Sequence, residues 1–192
     1  MTFKDIKVEA KKALVGRRFM FFLAILIVGL IVGGLAFILI GILVAPALYA
    51  GLFLIAKKIL ANKDDIDFND IFHYRDLNHA VKLLGVAFLH WLLTILGLIL
   101  FIIPGVIFFY RYSQALFIMA ENPDLGPWEA MKKSQELMRG YKFNFFLFQL
   151  SFILHGLLIP LTLGFYIIYF APYHHTSIVN YYLKLKTQNQ LT

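Results

Sequence analysis

Residues 19–56 read FMFFLAILIVGLIVGGLAFILIGILVAPALYAGLFLIA, without one Asp, Glu, Lys or Arg. A charge at the centre of a bilayer costs about 2.5–3.5 kcal/mol on insertion scales, so a charge-free run of this length is the mark of lipid. Residues 83–110 and 143–183 are uncharged in the same way. As a single α-helix, 38 residues would run about 57 Å, against about 30 Å for the hydrocarbon core. Each stretch therefore fits two crossings better than one. The first would turn in the glycine-bearing segment from Gly33 and Gly34 to Gly41, the second at Pro104-Gly105, and the third near Pro160 with a further interruption at Pro172.

The expected fold is an all-α, polytopic membrane helical bundle: about six transmembrane helices in three hairpins, with cytoplasmic amphipathic helices between them. It is a single integral membrane domain over 1–192. An amphipathic N-terminal helix (1–18) leads into hairpin 1 (19–56), a cytoplasmic segment (57–80) and hairpin 2 (81–119). A cytoplasmic amphipathic helix (120–142), hairpin 3 (143–183) and a tail (184–192) follow.

Composition agrees. The chain is 60% hydrophobic and 15% charged, with mean hydropathy +0.75, where soluble domains carry about 25% charged residues. Cys is absent, which excludes disulfides, Cys-ligated zinc, iron–sulfur clusters and thiol catalysis. The first apolar run far exceeds a signal-peptide core, so no cleavable leader is expected.

The formal charge is +7, and its placement says more than its size. Lys4, Lys7, Lys11, Lys12, Arg17 and Arg18 face only Asp5 and Glu9 in the first segment, whereas lysines and arginines balance aspartates over 57–82. If every uncharged stretch crosses twice, all charged segments share one side, and the positive-inside rule makes that side cytoplasmic. The expected location is thus the bacterial cytoplasmic membrane, multi-pass, with both termini cytoplasmic. Basic residues beside membrane segments imply a phospholipid bilayer and anionic lipids as partners, and no nucleic acid. Lys11, Lys12, Arg17, Arg18, Lys132, Lys133, Arg139 and Lys142 are the candidate membrane-surface basic residues.

In 3–16, Phe3, Ile6, Ala10, Ala13 and Leu14 recur at helical spacing. Pro127 opens and Gly140 closes a second amphipathic helix, with Ala130, Met131, Ser134, Leu137 and Met138 on one face and Glu129 and Arg139 placed as the helix dipole prefers. A shorter piece surrounds Phe68, Ile71 and Phe72, capped by Asp67. Such helices lie in the headgroup plane or dock on the bundle. Gly16-Arg17-Arg18-Phe19-Met20-Phe21-Phe22-Leu23 also aligns with Gly140-Tyr141-Lys142-Phe143-Asn144-Phe145-Phe146-Leu147, so the module is an interfacial helix plus a hairpin, used about three times.

The chain has no GxSxG, HExxH, Walker loop or dinucleotide fingerprint, and no carboxylate in the apolar stretches to act as base or ligand. No cofactor and no metal is expected. Asp64, Asp65, Asp67 and Asp70 lack EF-hand spacing, and the adjacent His174 and His175 point to different helix faces. His90 and His155 sit in apolar stretches, either hydrogen-bonding across helices or serving a function. Arg111 lies about 9 Å along a helix from Gly105. With Tyr112 and Gln114 it is the candidate site for an anion or lipid phosphate, which a guanidinium grips bidentately; the alternative is an arginine that snorkels or binds carbonyls.

From Pro104-Gly105-Val106-Ile107 the chain continues through Arg111-Tyr112-Ser113, Ala120-Glu121-Asn122-Pro123, Glu129-Ala130, Lys133-Ser134, Leu137-Met138-Arg139-Gly140, Pro172-Tyr173 and Tyr181-Tyr182. In that order these motifs resemble an uncharacterised (domain-of-unknown-function) family of bacterial integral membrane proteins. That family is distantly similar to the membrane domain of glycerophosphodiester phosphodiesterases. The resemblance implies a multi-helix membrane protein without a known catalytic site and supplies no substrate. Where that family often carries Trp in the third hairpin, this chain has Phe152, Leu154 or His155.

The expected function is non-enzymatic: binding or organising anionic lipid, or serving as accessory subunit of a membrane complex, with a homo-oligomer or a membrane protein as further partner. The alternatives are a transporter, exporter or immunity-type permease for a hydrophobic or anionic compound, for which the Pro- and Gly-broken helices speak, and an intramembrane enzyme using His90, His155 or His174.

Overall fold

Ten α-helices and one 3₁₀ turn carry the described part of the chain: α1 (Phe3–Ala13), α2 (Arg18–Ala36), α3 (Ile40–Leu60), the turn Phe68–Phe72, α4 (Leu77–Leu100), α5 (Ile102–Tyr112), α6 (Ala115–Glu121), α7 (Pro127–Leu137), α8 (Lys142–Leu150), α9 (Ile153–Leu161) and α10 (Ile167–Gln190). The computed structural model describes residues 3–36, 40–61, 67–72 and 76–190, and no strand occurs among them. The turn expected between Gly33 and Gly41 falls between α2 and α3, on residues outside the described ones, as do Asp64 and Asp65.

Among the described residues, four segments are long and apolar enough to cross a membrane: Leu43–Leu60, Leu77–Leu100, Ile102–Glu121 and Lys142–Leu161. Phe3–Ala13 with Arg18–Ile31, bent by 96°, adds a fifth if the pair counts as one span. The second half of hairpin 3, α10, is not among them. Its middle carries His174, His175, Thr176, Ser177 and Asn180, and it lies against α1, α2, α3 and α7. Thr176, Ser177 and Asn180 are buried there. A helix surrounded by other helices needs no apolar circumference.

Other expectations shift for local reasons. The hairpin between α4 and α5 turns at Phe101, whose backbone is extended, instead of at Pro104-Gly105. Pro104 falls in the first turn of α5, where a missing N–H leaves no bond unmade. Gly105 serves packing: a Cβ there would stand 2.7 Å from the Leu98 nitrogen. Pro160 does precede a turn, which follows at Leu163 and Gly164, both with positive φ. Pro172 leaves α10 unbroken, and α10 runs on to Gln190, so residues from 184 continue the helix instead of forming a separate tail.

The repeat is deeper than its glycines. Gly16 (φ 76°) and Gly140 (φ 80°) both adopt the left-handed conformation that a glycine enters without strain, and α2 and α8 each begin two residues later at a basic residue. With the same offset, Ile6 and Ala130, Ala10 and Ser134, Leu14 and Met138, Phe21 and Phe145, Ala24 and Phe148, and Val28 and Phe152 are all buried. Phe19 and Phe143 are both exposed. Three units result: α1–α2–α3, the 3₁₀ turn with α4–α5–α6, and α7–α8–α9–α10. The opening piece of a unit packs on the hairpin before it, the 3₁₀ turn on α3 and α7 on α4 and α6, while α1 packs on α10. The ring thereby closes.

Candidate functional site

The last helices of the three units, α3, α6 and α10, come together. In its last two turns or so, each carries an aromatic ring: Phe53 in α3, Phe117 in α6 and Tyr182 in α10. Phe53 stacks on Phe117 at 4.7 Å between centroids, and each meets Tyr182 at 5.6 Å. Four residues further on, Lys57, Glu121 and Lys186 meet in the same order. Lys57 donates to Glu121 Oε1, while Lys186 Nζ at 2.6 Å and the Tyr182 hydroxyl at 2.8 Å donate to Oε2. The Glu121 side chain is only 6% exposed. Lys57, Glu121 and Lys186, one from each of three charged segments, thus meet at one end of the bundle. Lys58 to Asp70 (2.6 Å) and Lys184 to Glu9 (2.6 Å) tie the 3₁₀ turn and α1 to the same end.

Glu121 was legible only as part of a family motif. Its sequence signal is an acid four residues after an aromatic, set where two other helices carry a lysine in that position.

Around this compensated axis lies a rim of basic residues. The apolar faces of α1 and α7 are the expected ones, with Ile6, Ala10, Ala130, Met131 and Ser134 buried, and they pack on the bundle. Lys11, Lys12, Lys132, Lys133 and Arg139 are exposed, and Lys142 is half-buried. None of these six forms an ion pair among the described residues. Arg17 is half-buried and has a partner. Arg18 stacks on the Tyr169 ring at 4.3 Å, and Lys11 lies 5.1 Å from the centre of Tyr173. Lys7, absent from the sequence-based candidates, donates to the Ser151 carbonyl (3.1 Å) and stands 4.0 Å over Phe152.

Arg111 is ten residues past the Phe101 turn, about 15 Å along the helix and near the middle of Ile102–Glu121. It is half-buried, its guanidinium carbon lies 5.5 Å from the Tyr112 ring, and its Nε is buried without a partner. The helix breaks just beyond. There the Ser134 hydroxyl donates to the Arg111 carbonyl (3.1 Å) and accepts from the Gln114 N–H (3.2 Å), filling two backbone valences that the break leaves open. Tyr112 turns into the core beside Phe108. Gln114 is fully buried, donating to Ser113 Oγ with its Oε1 unpaired. Arg111 and Tyr112 are therefore neighbours, and Gln114 faces inward separately.

The histidines are dispersed. His90 packs against the rings of Trp91 and Phe109, its Nε2 buried without a partner. His155 lies among Phe152, Phe170 and Tyr173. His174 reaches Gln149 Oε1 (3.2 Å), while its neighbour His175 turns the other way, to Phe21 and the Leu52 backbone. Among the described residues no three His, Asp or Glu come together as a metal-binding group. Asp67 accepts from the Asn69 N–H and amide, capping the 3₁₀ turn as expected.

No curated protein and no solved structure matches the chain. The family described as "Protein of unknown function (DUF975)" matches residues 71–189, which run from the 3₁₀ turn through α10. Those residues include the unit-two and unit-three partners of the axis and most of the motifs quoted from 104–182, and the chain belongs to this uncharacterised family.

Proposed function

We propose that the chain is a non-enzymatic, multi-pass protein of the bacterial cytoplasmic membrane that binds and organises anionic lipid through its charged end. Its three hairpins would form six crossings with both termini on the cytoplasmic side. The observation that carries the reading is the partition of charge. Glu9, Asp70 and Glu121 take Lys184, Lys58, Lys57 and Lys186, while the basic residues of α1 and of the α7–α8 turn keep their charge for an outside partner. Each such residue at an anionic surface contributes about 1 kcal/mol. Arg111 would hold a phosphate with its unpaired guanidinium. The distant likeness to the membrane domain of glycerophosphodiester phosphodiesterases belongs to the same proposal, as does an accessory role beside a partner membrane protein.

The test is lipid binding by purified protein in nanodiscs or mild detergent. The triple variant K132Q/K133Q/R139Q removes about 3 kcal/mol of surface attraction, roughly a hundredfold in preference for phosphatidylglycerol over phosphatidylcholine. Arg111→Ala should reduce co-purifying anionic lipid. An unchanged lipid preference in the triple variant would refute the rim reading, and unchanged lipid content in Arg111→Ala would remove Arg111 from it.

One observation favours a permease as second reading. An apolar cleft of about 810 Å³ lies between α3 and α4, bordered by Pro46, Tyr49, Val81, His90 and Trp91. Flux of a hydrophobic compound in proteoliposomes would support it, and unchanged flux in a variant that obstructs the cleft with two bulky side chains, Val81→Trp with Ala87→Trp, would dismiss it.

A further inference from the structure

Helix α1 lies across α10 and presents two flanks. On one, Glu9 pairs with Lys184 and accepts from Asn180, whose amide also donates to the Ile6 carbonyl (3.0 Å). On the other, Lys7 and Lys11 stand one helical turn apart and reach Phe152 and Tyr173, and Arg18 follows onto Tyr169. These three cations share a bank of rings and have no carboxylate partner among the described residues. Arg18 Nε is buried with no acceptor, and so is Nδ1 of His155, whose ring lies against both Phe152 and Tyr173.

The repeat shows that packing does not require this charge. The equivalents of Lys7 and Lys11 in α7 are Met131, fully buried, and Gln135, half-buried. The same helix can therefore dock by the same face without a cation at either position. In α1 two like charges stand on one flank, a cost that an anion would reverse. The Lys7 ammonium is correspondingly held below its ordinary range, by burial first and by Lys11 second.

We propose that Lys7, Lys11 and Arg18, with the rings of Phe152, Tyr169 and Tyr173, form a discrete site for the phosphate of one phospholipid headgroup. Two ammoniums and a guanidinium supply charge-assisted donors to phosphate oxygens. The surroundings select a lipid over free phosphate. Directly beyond Phe152, α9 exposes Ile153, Leu154 and Leu157, an apolar track for acyl chains. The site rests on the anionic-lipid reading and sharpens it from a diffuse rim to one bound molecule. Because Phe152 is central in Lys142–Leu161, a headgroup held there requires hairpin 3 to enter from the interface instead of crossing fully.

Native mass spectrometry in mild detergent tests it, with dioleoylphosphatidylglycerol, dioleoylphosphatidylcholine and inorganic phosphate as probes. The wild type should retain one phosphatidylglycerol in preference to phosphatidylcholine, and inorganic phosphate should not displace it. K7Q/K11Q should weaken that retention at least tenfold, whereas K132Q/K133Q/R139Q should leave the single lipid in place. K11Q alone, at an exposed position that folding tolerates, should weaken it about threefold. Undiminished retention in K7Q/K11Q and K11Q overturns the site while leaving the rim reading standing. Loss in K7Q/K11Q with an unchanged rim variant upholds the site even if the rim contributes nothing. Equal retention of phosphatidylcholine, or displacement by inorganic phosphate, overturns the assignment to an anionic lipid.

Discussion

Replacing Glu121 by Leu should destabilise the fold by about 3 kcal/mol, although the new side chain is apolar and close in size. The carboxylate receives Lys57, Lys186 and the Tyr182 hydroxyl, one group from α3 and two from α10. Lys57 and Lys186 are 44% and 41% exposed, so water takes back most of what they lose, and each pairing is worth about 0.5–1 kcal/mol. Tyr182 is buried. Its stranded hydroxyl costs about 1–3 kcal/mol, and removing the only anion leaves two ammoniums facing each other. For a chain of this length 3 kcal/mol lowers the unfolding midpoint by roughly 6–12 °C, which intrinsic fluorescence of Trp91 and Trp128 can follow in mild detergent.

The sign can be reversed. A buried ionic group replaced as a whole by apolar residues is often neutral or stabilising, whereas one that loses a single member is not. Glu121→Leu combined with Lys57→Met, Lys186→Met and Tyr182→Phe should therefore recover most of the lost stability. Two results would refute the reasoning: Glu121→Leu within 0.5 kcal/mol of wild type, or a quadruple variant worse than the single one.

Two further predictions concern docking. A Cβ at Gly51 would stand 2.6 Å from the Ile71 carbonyl carbon and nearer still to its oxygen. Gly51→Ala should therefore push the 3₁₀ turn off α3 at a cost of about 1–3 kcal/mol, visible as faster hydrogen exchange over 67–72 with α4 unchanged. Glu9 has its carboxyl held below the usual range, chiefly by the Lys184 hydrogen bond and further by Asn180. Its contribution is therefore complete above the unfolded carboxylate value, about 4.3, and fades as pH falls through the lower folded value. Because the pair is largely exposed it is worth at most about 1 kcal/mol. Proteolytic nicking ahead of α2 should rise below pH 4 in the wild type, and Glu9→Gln should show that level of nicking already at pH 7.

What the sequence discloses here follows from who solvates each residue. Helices facing an apolar medium reveal themselves by absence of charge, so α3, α4, α5–α6 and α8–α9 are legible from composition alone. The faces of α1 and α7 are legible because periodicity records burial, and Asp67 because a cap is a local bond. By contrast, α10 lies inside the ring, its polar residues meeting other helices, so hydropathy undercounts it. The turn at Phe101 was hidden because Pro104-Gly105 resembles a turn yet works as a helix start and a close packing contact. Glu121 and Lys7 were hidden because their roles depend on neighbours 64 and 144 positions away. Arg111 stands out in the sequence by its isolation from other charges, and its Nε is buried without a partner.

The threefold plan separates what holds the bundle from what is free to recognise something else. At the axis, three helices each carry a charged residue four positions after an aromatic ring, Lys57, Glu121 and Lys186, and the glutamate is shared. Losing one member of that set costs stability, whereas replacing the set as a whole does not. On the periphery, positions that the repeat makes equivalent differ freely: Met131 and Gln135 in α7, Lys7 and Lys11 in α1. A fold that tolerates both choices at one docking seam does not select between them, so the cations of α1 answer to something outside the fold. This division makes the reading testable without confusion between folding and binding. Changes at Lys7 and Lys11 should alter retention of the single lipid, and changes at the rim the preference for an anionic surface, both at constant melting temperature; changes at Glu121 should do the reverse.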